Sequence, residues 1–218
     1  MGSGQLSVAS WQYAGSTQGE CTMNRDELLD LFRRCSALIE GHFRLSSGLH
    51  SPGYLQCALV LQHPQHAAVL GAALADRVRD LRPTTVLSPA LGGLIIGHEV
   101  ARALGARAIF AEREDGTLRL RRGFSVSEAE RVLVVEDVVT TGGSTRETIQ
   151  VATAAGAQVV AATAIVNRSG GVAKLDAPLH ALLELSLPTY DPNTCPLCAE
   201  GVPISKPGSR QVAVPHDQ

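Results

Sequence analysis

From Val132 to Thr145 the chain reads V-L-V-V-E-D-V-V-T-T-G-G-S-T, passing from hydrocarbon to acid to hydroxyl and glycine within fourteen residues. Four apolar residues without alternation suit a strand covered on both faces, so a central place in a helix-flanked sheet is expected. Glu136 and Asp137 then stand where that strand emerges at its C-terminal edge, the place where open α/β sheets bind ligands. Carboxylates there can accept hydrogen bonds from vicinal hydroxyls or approach a cation. Thr140, Thr141, Gly142, Gly143, Ser144 and Thr145 follow with hydroxyls, exposed backbone N–H groups and the positive end of the next helix, which together make a phosphate cradle. A bare T-T-G-G-S is an ordinary turn; the acid pair ahead of it sets this one apart. A ligand carrying both a diol and a phosphate, such as a ribose 5-phosphate, has the matching shape. The segment is neither G-x-G-x-x-G nor a loop ending in G-K-[ST], so dinucleotide binding and NTP hydrolysis lose support.

The flanking pattern predicts an α/β fold with a doubly wound parallel sheet. Helices are expected over 64–81, 94–104 and 144–155, and strands over 85–87, 108–111, 131–135 and 158–166. Such alternation implies right-handed crossovers around parallel strands. Asn24 can cap a first helix whose opening turn holds Asp26 and Glu27, with Leu28, Leu31, Phe32 and Cys35 as its apolar stripe. Turn signals between residues 41 and 61 suggest paired strands. Residues 112–130 read as a polar, charged segment with a strong hairpin turn at Asp115-Gly116. Residues 1–22, rich in Ser, Gly and Gln, are expected to be a flexible leader, with Met23 as an alternative start. Residues 23–218 read as one domain: about 23–62, a core of about 63–190, and an irregular tail.

A net charge of -2 leaves no global positive field for nucleic acid. Of 19 basic residues, 17 are Arg, and Lys174 and Lys206 are the two lysines. Any phosphate-binding cation before residue 174 must therefore be Arg or a metal. Five scattered cysteines argue against a secreted disulfide framework and for a reducing, cytoplasmic setting. No apolar run approaches the ~20 residues of a membrane span. Cys195-Pro196-Leu197-Cys198 could be half a zinc site, but no second C-x-x-C exists. Two thiols in a C-terminal loop are the expectation, with a zinc shared across a dimer interface as the alternative. The seven histidines form no H-x-x-x-H cluster and read as structural or exposed.

The fourteen-residue segment resembles the PRPP (phosphoribosyl pyrophosphate) motif of the type I phosphoribosyltransferases. The wider pattern is similar to the orotate phosphoribosyltransferase family: G-H-F-R-L-S-S-G at 41–48, S-P-A-L-G-G at 88–93, L-R-R-G-F at 120–124 and I-V-N-R-S-G-G at 165–171. The resemblance implies that family's doubly wound sheet with a small N-terminal hood, about residues 23–62. It also implies transfer of the phosphoribosyl group to orotate, a step of UMP biosynthesis. Orotate nitrogen attacks the anomeric carbon while pyrophosphate leaves, with Mg2+ held mainly through PRPP rather than by direct protein ligands.

Carried over residue by residue, the resemblance places Glu136, Asp137, Val138, Val139, Thr140, Thr141, Gly142, Gly143 and Ser144 on PRPP. The acids would hold the ribose hydroxyls and Thr140 to Ser144 the 5-phosphate. Leu91 and Gly92 would offer backbone to the pyrophosphate, though their turn equally suits a ligand-free helix start. Arg168 would pair with the orotate carboxylate, with Thr140, Phe43 and Ser47 near the base, although an arginine past a strand end is also a common surface feature. The catalytic set would be Asp137 with Arg113, Arg121 and Arg122, Arg119 being a further cation of the loop. That loop, 112–124, would reach the neighbouring active site of a homodimer. It carries Arg and acids where the better-known bacterial loop has lysines and a histidine. Two alternatives stand beside this reading: a phosphoribosyltransferase for another base such as a purine, which would give Arg168 no anionic partner, and a non-catalytic PRPP-sensing regulator.

Overall fold

The computed structural model describes residues 23–45 and 47–206. The expected leader, 1–22, and the last part of the expected tail, 207–218, lie outside the described residues.

The first helix, α1 (Arg25–Arg34), begins where its sequence requires. Asn24 Oδ1 accepts from the N–H groups of Asp26 and Glu27 at 3.0 Å, and Glu27 Oε2 accepts from Asn24 N–H at 2.9 Å, closing a capping box. Leu28, Leu31 and Phe32 are buried, while Cys35 falls just past the helix and is only partly covered. Strands β1 (Leu38–Arg44) and β2 (His50–Leu55) pair antiparallel as a separate two-stranded sheet, with an irregularity between Glu40 and Phe43. A single turn, α2 (Ala58–Leu61), leads into α3 (Pro64–Val78), and a 3-10 turn at Arg79–Leu81 ends that helix three residues before the sequence expectation.

The main sheet has six strands: β3 (Thr85–Pro89), β4 (Arg107–Glu114), β5 (Thr117–Leu120), β6 (Arg131–Val139), β7 (Gln158–Asn167) and β8 (Leu179–Glu184), in the order β5-β4-β3-β6-β7-β8. All pairings are parallel except β4 with β5, an antiparallel hairpin at one edge. Helices α4 (Gly93–Leu104) and α5 (Gly143–Ala154) follow β3 and β6. One apolar cluster joins α1, β1, β2, α3 and α4 to one face of the sheet; a second, with Ile149 and Ala152 of α5, covers the other. Val132 to Val135 are 0% exposed and lie between β3 and β7, the interior position their unbroken hydrocarbon predicts.

The hairpin read at Asp115-Gly116 is present: β4 runs to Glu114 and pairs with β5 across that turn. Two differences from the sequence reading stand out. Strand β8 was not anticipated. The segment after 190, expected to be irregular, holds a 3-10 turn at Pro192–Thr194 and a short helix, α6 (Pro196–Ala199). Among the described residues no helix is long and apolar enough to cross a membrane.

Candidate active site

The chain order reverses at the β3–β6 pair. From β3 it passes outward to β4, then returns to lay β6 on the other side and continues to β7 and β8. Helices that leave adjacent parallel strands toward opposite faces open a crevice at their carboxyl ends. Two adjoining hollows occupy that crevice, of about 200 and 220 Å3. The first is lined by Arg113, Glu136, Val138 to Thr145 and Glu147, the second by Pro89, Ala90, Gly92, Glu136, Asp137, Val138 and Ser144. Glu136, Val138 and Ser144 are common to both, so one ligand can lie across the two.

The first hollow has the features of an anion cradle. Gly142 precedes α5 in the left-handed region at φ 76°, and a Cβ there would stand 3.0 Å from that of Ala173. Both the turn and the close packing select glycine. No side chain caps this helix, and its first-turn N–H groups have no intrahelical acceptors. Thr140, Thr141 and Ser144 are exposed around it. Arg113 borders the same hollow, donating to Glu147 at 3.0 and 3.2 Å and to Gly116 O at 2.6 Å.

The second hollow is built around the acids. Glu136 is buried and Asp137 half-buried. Burial, reinforced by the neighbouring Asp137, pushes the Glu136 carboxyl up to about 9, and burial raises Asp137 as well. Two adjacent carboxylates in a poorly solvated pocket resist double ionisation. Positive charge or hydroxyl donors brought by a ligand would relieve them. Gly92 faces the pair so closely that a Cβ would meet Asp137 Oδ1 at 2.8 Å. Leu91 borders neither hollow with its side chain, which is 82% exposed; the adjoining Ala90-Leu91 peptide is cis.

Arg168 enters from the end of β7, where its N–H donates to Val139 O at 2.7 Å. Its Nε is buried with no hydrogen-bond partner among the described residues. Burial lowers its pKa, with Cys57 and Tyr54 opposing the shift. Cys57 is itself pushed up by burial and by Asp137 and Glu136, with Arg168 acting against them. Cys57 thus lies within electrostatic reach of the acid pair and the guanidinium alike. Tyr54 packs on Phe43 with ring centroids 5.9 Å apart, which connects the hood to this corner. Ser47 is exposed in the turn between β1 and β2 and accepts from Leu49 N–H at 3.4 Å.

The crevice therefore brings together Glu136 to Ser144, Gly92 and Arg113. Arg121 and Arg122 border neither hollow of their own chain. Arg122 is bidentate to Glu112 at 2.7 and 2.8 Å, and Arg121 pairs with Glu114 at 3.2 Å. Sequence reading missed Cys57, Tyr54 and Glu147. The acids near the end of β6 point to the crevice from sequence, whereas nothing local marks a residue delivered by the hood.

A phosphoribosyl transferase domain model matches residues 58–189. An orotate phosphoribosyltransferase of Desulforamulus reducens is 52% identical over 190 residues, covering 87% of this chain and 100% of that protein. The chain belongs to the orotate phosphoribosyltransferase family. A second relative of that name, from Heliobacterium modesticaldum, is 53% identical over 190 residues, 86% of this chain and 100% of its own. Among solved structures, the orotate phosphoribosyltransferase of Mycobacterium tuberculosis H37Rv in complex with inorganic phosphate aligns with a TM-score of 0.62 at 26% identity. That match covers 74% of this chain and 95% of the other. The doubly wound fold of this family is the one described above.

Proposed function

We propose that the chain transfers the phosphoribosyl group of PRPP to orotate, forming orotidine 5-monophosphate and pyrophosphate in pyrimidine nucleotide synthesis. The observation that carries this reading is the pair of hollows that share buried Glu136, with Asp137 beside it lining the second. An anion cradle at α5 suits the 5-phosphate, and the β3–α4 turn suits the pyrophosphate. Glu136 and Asp137 between them suit the ribose hydroxyls.

In this reading the residues act mainly by holding charge in place. The α5 N–H groups, Thr140, Thr141 and Ser144 bind the 5-phosphate, with Val138 and Val139 setting the loop's path. Leu91 and Gly92 offer backbone to the diphosphate. Asp137 orients the ribose and favours the positive charge that develops on the ring as the glycosidic bond to pyrophosphate breaks. Arg168, with a buried Nε awaiting an acceptor, takes the orotate carboxylate, and Phe43 and Ser47 bound the base beside Thr140. A purine lacks that carboxylate and would leave the buried guanidinium unanswered, which costs binding. The raised acid pair fits Mg2+ carried in by PRPP, which when bound neutralises charge on the diphosphate. Glu136 and Asp137 would face it through the ribose hydroxyls or water.

The working unit is a homodimer in which hairpin 112–124 reaches the neighbouring site, bringing Arg121 and Arg122 to the leaving group. A cytoplasmic setting agrees with four free cysteines among the described residues.

The reading is tested by following loss of orotate absorbance with purified protein, PRPP and Mg2+, beside adenine, guanine, hypoxanthine and uracil. Turnover with orotate alone, lost in Asp137→Asn, is the expected result. PRPP binding without turnover on any base would move the protein to a sensing role.

A further inference from the structure

The four residues His42, His50, Cys195 and Cys198, none of which lines the two hollows, converge on one point, with their donor atoms all within 4.8 Å of one another. We propose that they form a Cys2His2 zinc site that fastens the C-terminal segment to the hood.

The sequence separates these residues, and the fold reunites them. His42 and His50 lie on β1 and β2, whose antiparallel pairing brings the rings to 4.8 Å between centroids. Cys195 precedes α6 and Cys198 lies within it, the usual two-residue spacing for chelation by one turn. His42 Nε2 is 3.5 Å from Cys195 Sγ and 3.8 Å from Cys198 Sγ, and His50 Nδ1 is 3.3 Å from Cys198 Sγ. Bonds of about 2.3 Å to sulfur and 2.0–2.1 Å to nitrogen, arranged tetrahedrally, set sulfur and nitrogen roughly 3.5 Å apart. The two imidazole nitrogens are 2.9 Å apart, close enough for one cation to take a lone pair from each.

The surroundings favour the metal-binding tautomer. His42 Nδ1 lies 2.8 Å from Val202 O, so its proton belongs on that nitrogen and Nε2 is left as a donor to metal. His42, His50 and Cys195 are buried, and Cys198 stays at the surface as a way in. Two thiols and two imidazoles form a soft to intermediate donor set that selects zinc over magnesium or calcium.

The site also has a mechanical consequence. Residues 190–206 are joined to the hood by two isolated bridges, His50 with Tyr190 and Phe43 with Ser205. A metal linking ligands 148 positions apart, as His50 and Cys198 are, closes a long loop and removes more chain entropy than a local contact could. Phe43 adjoins the ligand His42, so the clip also steadies the strand expected to cover the base. All four ligands lie outside residues 58–189, the span matched by the transferase domain model.

The test begins with the full chain purified under reducing conditions and its metal content. About one zinc per chain is expected, and cobalt substitution should give tetrahedral d–d bands with thiolate-to-metal charge transfer. Cys198→Ser should lose the metal, whereas Cys198→His, which keeps four donors, should retain it. Stripping zinc should lower Tm, and adding zinc back should restore it. Wild-type protein without stoichiometric zinc, both as isolated and after incubation with zinc and reductant, overturns the proposal. So does zinc that persists in Cys195→Ser/Cys198→Ser but is lost in Asp137→Asn, since the metal would then sit at the acid pair.

Discussion

A Cβ placed on Gly92 would stand 2.8 Å from Asp137 Oδ1, so the backbone of the β3–α4 turn and a carboxylate near the end of β6 meet in the crevice with no room between them. Gly92 has an ordinary right-handed backbone at φ -56°, and alanine could adopt it; the conflict is one of space alone. Gly92→Ala should therefore move Asp137 while leaving the fold intact. The expected outcome is a KM for PRPP raised about tenfold, equivalent to roughly 1.4 kcal/mol, with Tm nearly unchanged. Steady-state kinetics beside a melting curve would check this, and an unchanged KM would remove the turn from the PRPP site.

The acid pair makes stability depend on pH in a definite direction. Below its ordinary value of 4.5, Glu136 is protonated in both the folded and unfolded chain, and its contribution is complete. Between 4.5 and about 9 the unfolded chain gives up the proton that the fold retains, so stability falls as pH rises. Glu136→Gln abolishes this loss. Its ligand-free Tm should match wild type near pH 4 and exceed it at pH 8, the direction required when the fold holds a proton that the unfolded chain releases. Parallel melting curves across that range would contradict the assignment.

Arg168 offers a sharper division between substrates. Its buried Nε lacks a partner, and a hydrogen bond to a charged group contributes about 1.5–3 kcal/mol. Arg168→Ala should raise the orotate KM roughly ten- to a hundredfold by that measure while PRPP affinity holds. Arg168→Lys should recover only part, because an ammonium cannot present two parallel donors. Titration of each ligand separately reads the outcome; equal losses for both would make Arg168 a structural residue.

How much of this was legible in the sequence follows from where each signal resides. The buried run before Glu136 and the Asn24 cap are local, and both appear where the chain alone places them. The Asp115-Gly116 turn marked the hairpin, but the reach of β4 to Glu114 was hidden because Glu112, Arg113 and Glu114 are all charged and carry no apolar alternation. Strand β8 is short, six residues, and its pattern does not separate it from a loop. His42 and His50 read as unrelated because their meeting depends on the β1–β2 register, and Cys195 and Cys198 arrive from 145 to 156 residues away. Cys57 and Tyr54 near Arg168 are likewise products of tertiary packing.

The hairpin arginines divide by position, and that division predicts which subunit each serves. Arg113 borders the anion cradle of its own chain, whereas Arg122 does not line it and makes an exposed bidentate pair with Glu112. Water screens such a pair, so Arg122 is held weakly enough to exchange Glu112 for a diphosphate. Arg122→Ala should lower kcat more than it raises the PRPP KM, the mark of an interaction made mainly in the transition state. Mixing Arg122→Ala with Asp137→Asn subunits should then restore activity, because the intact acid of one chain would receive the intact hairpin of the other. Arg113→Ala mixed with Asp137→Asn should stay inactive, since each cradle depends on its own Arg113. Rescue in neither mixture, with mixed dimers demonstrated, would confine the hairpin to its own subunit; rescue in both would place Arg113 across the interface as well.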